Sequence, residues 1–197
     1  MLKVGITGGI GSGKSTVCQV FKTLDIPVFY ADDAAKYLMN NDPVLIAKIK
    51  DLFGSDVYVD DVLDNKKLSE IVFNSPEKLN ELNALVHPAT IQYAKDWMEK
   101  QNNPYTIKEA AIFFESGSNK DMDIMIGVSA PLELRISRAM KNLNTTRENI
   151  LQRISKQMNE EEKMKRCDYI ITNDERTAII PQVLELHKIL LQRSKKE

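Results

Sequence analysis

Residues 8–16 read Gly8-Gly9-Ile10-Gly11-Ser12-Gly13-Lys14-Ser15-Thr16, and no other stretch of the chain restricts its fold so tightly. The spacing is that of a phosphate loop: glycine, four residues, glycine, lysine, then serine or threonine. Glycines at 8, 9, 11 and 13 let the backbone turn through φ > 0 and keep side chains out of the space where N–H groups face phosphate. Lys14 supplies a compact charge for the β- and γ-phosphates, and the Ser15 hydroxyl suits a Mg²⁺ ligand. The flanks agree. Leu2-Lys3-Val4-Gly5-Ile6-Thr7 reads as a short buried strand, and residues 16–24 as a helix with Val17, Val20, Phe21 and Leu24 on one face. A loop between a strand end and a helix N-terminus meets free N–H groups and a dipole that favour an anion. The expectation is a nucleoside triphosphate site.

The rest of the chain reads as an α/β fold with a helical insertion. A second strand, residues 26–30, ends at Ala31-Asp32-Asp33, with one aspartate capping a helix over residues 34–40. An amphipathic helix from Pro43 to Phe53 stops at Gly54, and residues 56–61 read as a loop or hairpin edge. Residues 65–101 are helical, broken at Ser75-Pro76 and again at His87-Pro88. The sheet resumes over 105–112 and 123–128. Helices then follow from Pro131, Thr146 and Asn159, before a last strand at 169–173, a last helix at 178–193 and a solvated tail at 195–197. In 197 residues this makes one domain, with an acceptor-binding insertion at 60–101 and a lid at 138–166.

Composition excludes several alternatives. Hydrophobic residues make up 43%, enough for a sizeable core, and a net charge of −1 leaves no electrostatic footprint for nucleic acid or anionic membrane. Cys18 and Cys167 have no metal-ligand spacing and read as reduced thiols. No apolar run approaches the roughly 20 residues of a membrane span. A strand beginning at residue 2 leaves no room for a signal peptide, so a cytoplasmic protein is expected.

Chemistry is expected at the carboxyl edge of the sheet. Asp32, at a strand end, is the candidate to accept a proton from an attacking hydroxyl; Asp33 is expected to cap or face solvent. Glu115, after the third strand, is placed to order Mg²⁺ through water or to hold a basic side chain. Arg135, Arg138, Arg147 and Arg153 surround the break at residues 142–146. Phosphoryl transfer needs such cations, and Arg138 with Arg147 or Arg153 is favoured over an ordinary charged helix surface. His87 is either a catalytic imidazole or a turn histidine bonded to backbone.

These motifs, in this order, resemble the dephospho-coenzyme A kinase family nearly end to end. The residues that carry the resemblance are Gly5 to Val17, Tyr30-Ala31-Asp32, Leu85-Val86-His87-Pro88, Phe113-Phe114-Glu115, Arg153-Ile154-Ser155-Lys156-Gln157 and Cys167-Asp168-Tyr169-Ile170-Ile171-Thr172-Asn173. The resemblance implies a phosphate-loop kinase fold with a parallel sheet of five strands in the order 2-3-1-4-5. It implies ATP and Mg²⁺ as cofactors and dephospho-coenzyme A as acceptor, phosphorylated at its ribose 3′-hydroxyl. It further implies catalytic roles for Asp32, Lys14 and Arg138. Nucleotide contacts are implied from Gly11, Ser12, Gly13, Lys14, Ser15, Thr16, Arg147 and Asn173. Acceptor contacts are implied from Thr7, Asp32, His87, Glu115 and Arg153. Four positions depart from the family pattern: Tyr30 for an aspartate, Asn65 and Asn142 for arginines, and Asp174 for a glycine.

Overall fold

The computed structural model describes residues 1–73 and 75–195; of the expected tail, Lys196 and Glu197 lie outside the described residues. In chain order the elements are β1 (Leu2–Thr7), α1 (Lys14–Thr23), β2 (Val28–Tyr30), α2 (Ala31–Asn41), α3 (Pro43–Phe53), β3 (Tyr58–Val59), β4 (Val62–Leu63) and α4 (Asn65–Phe73). They continue as α5 (Pro76–Glu99), β5 (Tyr105–Glu109), β6 (Ile124–Ser129), α6 (Leu132–Leu143), α7 (Arg147–Ser155), α8 (Glu160–Lys165), β7 (Tyr169–Thr172) and α9 (Ile179–Arg193). They form two compact units, one of residues 1–30 with the chain from 100 onward, the other of residues 31–99.

The first unit holds a five-stranded sheet, ordered β2-β5-β1-β6-β7, which is the implied 2-3-1-4-5 among its strands. Every pairing in it is parallel. β1 lies at the centre, with Val4 opposite both Ile107 and Ile124. It carries the apolar run expected of a strand covered on both faces: Leu2, Val4 and Ile6 are buried with Val17, Cys18 and Phe21 of α1 and Val183 and Leu190 of α9. Because all strands run the same way, Thr7, Tyr30, Glu109, Ser129 and Thr172 end at one edge. The loops that follow Thr7, Glu109, Ser129 and Thr172 share that edge.

The second unit packs α2, α3 and α4 around α5 over a core of Leu38, Leu45, Ile49, Phe53, Leu68 and Val86. Asp42 starts α3 by accepting from Val44 and Leu45 N–H at 2.9 and 3.1 Å, and Gly54 at φ 92° ends it. β3 and β4 are a two-residue hairpin whose turn, Asp60 and Asp61, has φ of 50° and 61°. Both central residues at φ > 0 match the twist of the flanking strands, and aspartate tolerates that conformation.

Three boundaries differ from expectation. α2 begins at Ala31 directly after β2, so Asp32 and Asp33 lie in its first turn and neither caps it. β5 ends at Glu109, where its registers with both neighbours end, opposite Tyr30 of β2 and Ile6 of β1. His87-Pro88 breaks nothing. α5 runs through Pro88 for 24 residues, its buried residues Val86, Thr90, Ala94 and Met98 keeping a four-residue spacing across the proline. One backbone hydrogen bond is lost there, and packing of the uninterrupted apolar stripe outweighs it.

Candidate active site

The phosphate loop is built by backbone constraint. Gly13 adopts φ 92° immediately before α1, and a Cβ there would collide with the Asn173 amide nitrogen. That amide donates to Ser12 C=O at 2.8 Å, so the residue after β7 holds the loop's second turn. Ser12 N–H closes back on Gly9 C=O at 3.1 Å. Lys14, the first residue of α1, turns inward: its ammonium donates to Gly8 C=O at 3.1 Å and lies 3.6 Å from Glu109 Oε1.

A cavity of about 350 Å³ opens over this floor, lined among others by Gly11, Gly13, Lys14, Ser15, Thr16 and Glu109, and by Arg138, Asn142 and Asn173. Arg138 reaches it from α6, donating to Asn173 C=O at 3.1 Å, to Asn173 Oδ1 at 3.3 Å and to Glu175 at 3.3 Å. Beside it a second cavity, about 570 Å³, runs between Thr16 and Val20 of α1 and residues 173–180. Lysine, arginine and a helix N-terminus around one cavity suit a polyanion. The adjoining cavity, with Val20, Ala178, Ile179 and Ile180 in its walls, suits a planar apolar group.

The other candidates are distributed as follows. Thr7 is fully buried, its hydroxyl 3.4 Å from Ala111 C=O. Glu115 Oε1 accepts from Lys163 Nζ at 3.1 Å and from Met158 N–H at 2.8 Å. Arg147 forks onto Glu133 with two 2.7 Å hydrogen bonds, which hold the Glu133 carboxyl below its ordinary pKa. That pair lines a separate cavity with Ser137, Met140 and Lys141. Arg153 is exposed in the last turn of α7. In the second unit, Asp32 is exposed in the first turn of α2 and His87 is half-buried within α5.

Two residues here, Glu109 and Lys163, were not singled out from the sequence, and two more, Arg135 and Cys18, were named without the place the structure gives them. Glu109, not Glu115, is the carboxylate at the end of its strand; a charge closing an apolar strand was the available signal. Arg135 is 4% exposed, and its Nε donates to Ile10 C=O at 3.1 Å. It falls in the α6 stripe with Ile136 and Ala139, where a charge is out of place unless partnered. Its partner is Glu160, 3.1 Å from Nη1. Lys163 is fully buried, bonding Ala111 C=O at 2.6 Å as well as Glu115. Cys18, one turn beyond Lys14, is inert: burial, then the charge of Glu109, pushes its thiol far above the ordinary value.

Comparison with known proteins bears on the family and the fold. The sequence model of the family described as Dephospho-CoA kinase matches residues 2–178. A dephospho-CoA kinase of Bacteroides fragilis is 37% identical across 98% of this chain and 94% of its own. One of Chlorobium chlorochromatii is 38% identical across 98% and 95%. Among solved structures, a Thermus thermophilus protein superposes with a TM-score of 0.83 at 33% identity, covering 98% of this chain and 97% of its own. The dephospho-CoA kinase of Campylobacter jejuni gives 0.68 at 28%, covering 98% of each chain. A shikimate kinase of Bacteroides thetaiotaomicron, 14% identical with a TM-score of 0.53 over 97% and 98%, shares the phosphate-loop kinase fold. With the loop, the strand order and near full-length relatives in agreement, the chain belongs to the dephospho-CoA kinase family, whose phosphorylation of dephospho-coenzyme A is the last step of coenzyme A biosynthesis.

Proposed function

We propose that residues 8–16 hold the triphosphate of ATP, that Asp32 takes the proton of the ribose 3′-hydroxyl, and that Arg138 stabilises the migrating phosphoryl group. The observation that carries this reading is the cavity in which Lys14, Ser15, Glu109, Arg138 and Asn173 converge on the loop. The oxygen donors there fit Mg²⁺: no cluster of three or more His, Cys, Asp or Glu among the described residues could cage a metal, yet Ser15 and Glu109 both line the cavity. Mg²⁺ bound with phosphates takes only one or two such protein oxygens, so Ser15 and Glu109 would hold it, and it would supply charge neutralisation.

The residues then act as follows. Loop N–H groups and Lys14 fix the β- and γ-phosphates, so the transferred group is positioned before the acceptor reacts. Asp32 orients the 3′-hydroxyl and accepts its proton as the oxygen–phosphorus bond forms and the bond from the γ-phosphorus to the bridging oxygen breaks, leaving ADP. Arg138 sits one side chain from the loop and gains most where charge spreads over the equatorial oxygens. The cavity between α1 and residues 173–180 takes adenine. Residues 60–101 take the pantetheine-bearing acceptor, and residues 138–166 close as a lid that excludes water. Among the described residues no helix is long and apolar enough to cross a membrane.

The test is turnover with Mg-ATP and a panel of acceptors, the products weighed by mass spectrometry. Dephospho-coenzyme A should be the preferred acceptor. Lys14→Ala should abolish transfer with unchanged circular dichroism, and Arg138→Ala should lower kcat more than it raises the KM for ATP. Near-normal turnover by Lys14→Ala would show that the loop is not the triphosphate site.

A further inference from the structure

The phosphate loop carries a carboxylate against its own backbone. Glu160 Oε2 accepts from Gly9 N–H at 3.2 Å, and its Oε1 is buried without a hydrogen-bond partner among the described residues. A fixed negative charge beside a polyanion site opposes binding, because little water intervenes to screen it. The compensating charge is Arg135. Its Nη1 lies 3.1 Å from the same Oε2, and its Nε holds Ile10 C=O at 3.1 Å. The fit is close on the loop side: a Cβ at Gly9 would run into the Arg135 guanidinium, and one at Gly11 into the Arg135 backbone carbonyl. Gln157 completes the contact by accepting from Ile10 N–H at 3.2 Å. The Gly9–Ile10 segment is thus held through both N–H groups and one carbonyl, by residues of α6, of α8 and of the turn between α7 and α8.

We propose that Arg135 is a positioning residue for phosphoryl transfer: it neutralises Glu160 behind the phosphate loop and pins the Ile10 carbonyl, so that the loop presents an uncompromised positive face to the triphosphate. Arg135 does not line the cavity above Lys14, whereas Arg138, three residues further along α6, does. One helix therefore serves the loop from two sides, with one arginine for the ligand and one for the loop. The inference rests on the loop being the ATP site.

The experiment measures KM for ATP, KM for dephospho-coenzyme A and kcat for three variants of the full chain, at a temperature well below each variant's thermal midpoint. Arg135→Gln leaves Glu160 uncompensated and should raise the KM for ATP roughly 10- to 100-fold, the scale of a lost charge-assisted contact, with the acceptor KM within about twofold. Arg135→Gln combined with Glu160→Gln removes both charges and should recover most of that loss. Glu160→Gln alone keeps an oxygen for Gly9 N–H, leaves Arg135 positive and should bind ATP at least as tightly as the parent. This variant carries the test if Arg135→Gln fails to fold. A purely structural Arg135 would lower the thermal midpoint with no change in the KM for ATP, and that result overturns the proposal. So does a double variant no better than Arg135→Gln, or weaker ATP binding by Glu160→Gln. If Lys14→Ala is inactive while Arg135→Gln is normal, only this inference falls; an active Lys14→Ala removes the ATP-site reading, and the inference with it.

Discussion

Alanine at 11 and alanine at 117 isolate the packing of the phosphate loop from its backbone conformation. Gly11 has φ 75° and Gly117 φ 72°, so a Cβ strains both backbones alike, by roughly 1–2 kcal/mol. Their surroundings differ. A Cβ at Gly117 meets nothing within 4 Å, whereas one at Gly11 lands on the Arg135 carbonyl oxygen, with the carbonyl carbon at 2.8 Å and Cα at 3.0 Å. Those atoms belong to the backbone of α6 and cannot swing aside. Relief requires the loop or the helix to shift, at an overpacking cost of about 1–3 kcal/mol. Gly117→Ala should therefore lose about 1–2 kcal/mol and Gly11→Ala about 2–5. Urea titration followed by far-ultraviolet circular dichroism, without nucleotide, measures the gap. With a dependence of about 1–3 kcal/mol per molar urea, an excess of ~2 kcal/mol separates the two midpoints by roughly 1 M. Coincident midpoints would refute the close packing of the loop on α6, and with it the steric reason for glycine at 11.

Two further outcomes are expected. Asp32→Asn should lower kcat by about 10² to 10⁴-fold with little change in ATP affinity; Asp33→Asn, at an exposed position paired with Lys36 at 3.6 Å, should cost tenfold or less, and steady-state kinetics giving the reverse order would move the base to Asp33. Burial lowers the pKa of His187, whose Nδ1 lies 2.6 Å from the Tyr105 hydroxyl, so the unfolded chain binds that proton more readily than the folded one. Stability from this group is present above the ordinary histidine pKa of about 6.5 and lost as pH falls through the lower folded value, and thermal melts of His187→Gln should show a shallower acid-side decline.

What was legible in the sequence was whatever local chemistry decides. The loop glycines, the Pro43 start and Gly54 stop of α3 and the Pro76 start of α5 each follow from φ restrictions within a few residues. The strand order came with the resemblance, since pairings between distant segments leave no periodicity to read. Pro88 misled because a local rule was opposed by a stripe of four buried residues, which only packing reveals. Glu109 was passed over because the apolar residues after it extended the strand on paper, while the pairing with β1 and β2 ended there in fact. Arg135 and Lys163 stand among charged neighbours in sequence, which gives no sign that they are buried. Their burial, 4% and 0% exposed, is set by groups outside their own helices: Ile10 C=O and the Glu160 carboxylate for Arg135, Ala111 C=O and the Glu115 carboxylate for Lys163.

The central place of β1 has a consequence for how the protein is made. The strand and the loop after it leave the ribosome well before their partners, since the two neighbours of β1 begin at Tyr105 and Ile124. At roughly 5–20 residues per second, β1 waits on the order of ten seconds for an edge to join. Meanwhile residues 31–99 emerge as a contiguous set whose helices find their partners among themselves. During that interval Leu2-Lys3-Val4-Gly5-Ile6-Thr7 is a short apolar segment with one charge and unpaired backbone, the composition that joins strands of other chains. Lys3 is the residue that opposes such pairing while the nascent chain is still incomplete.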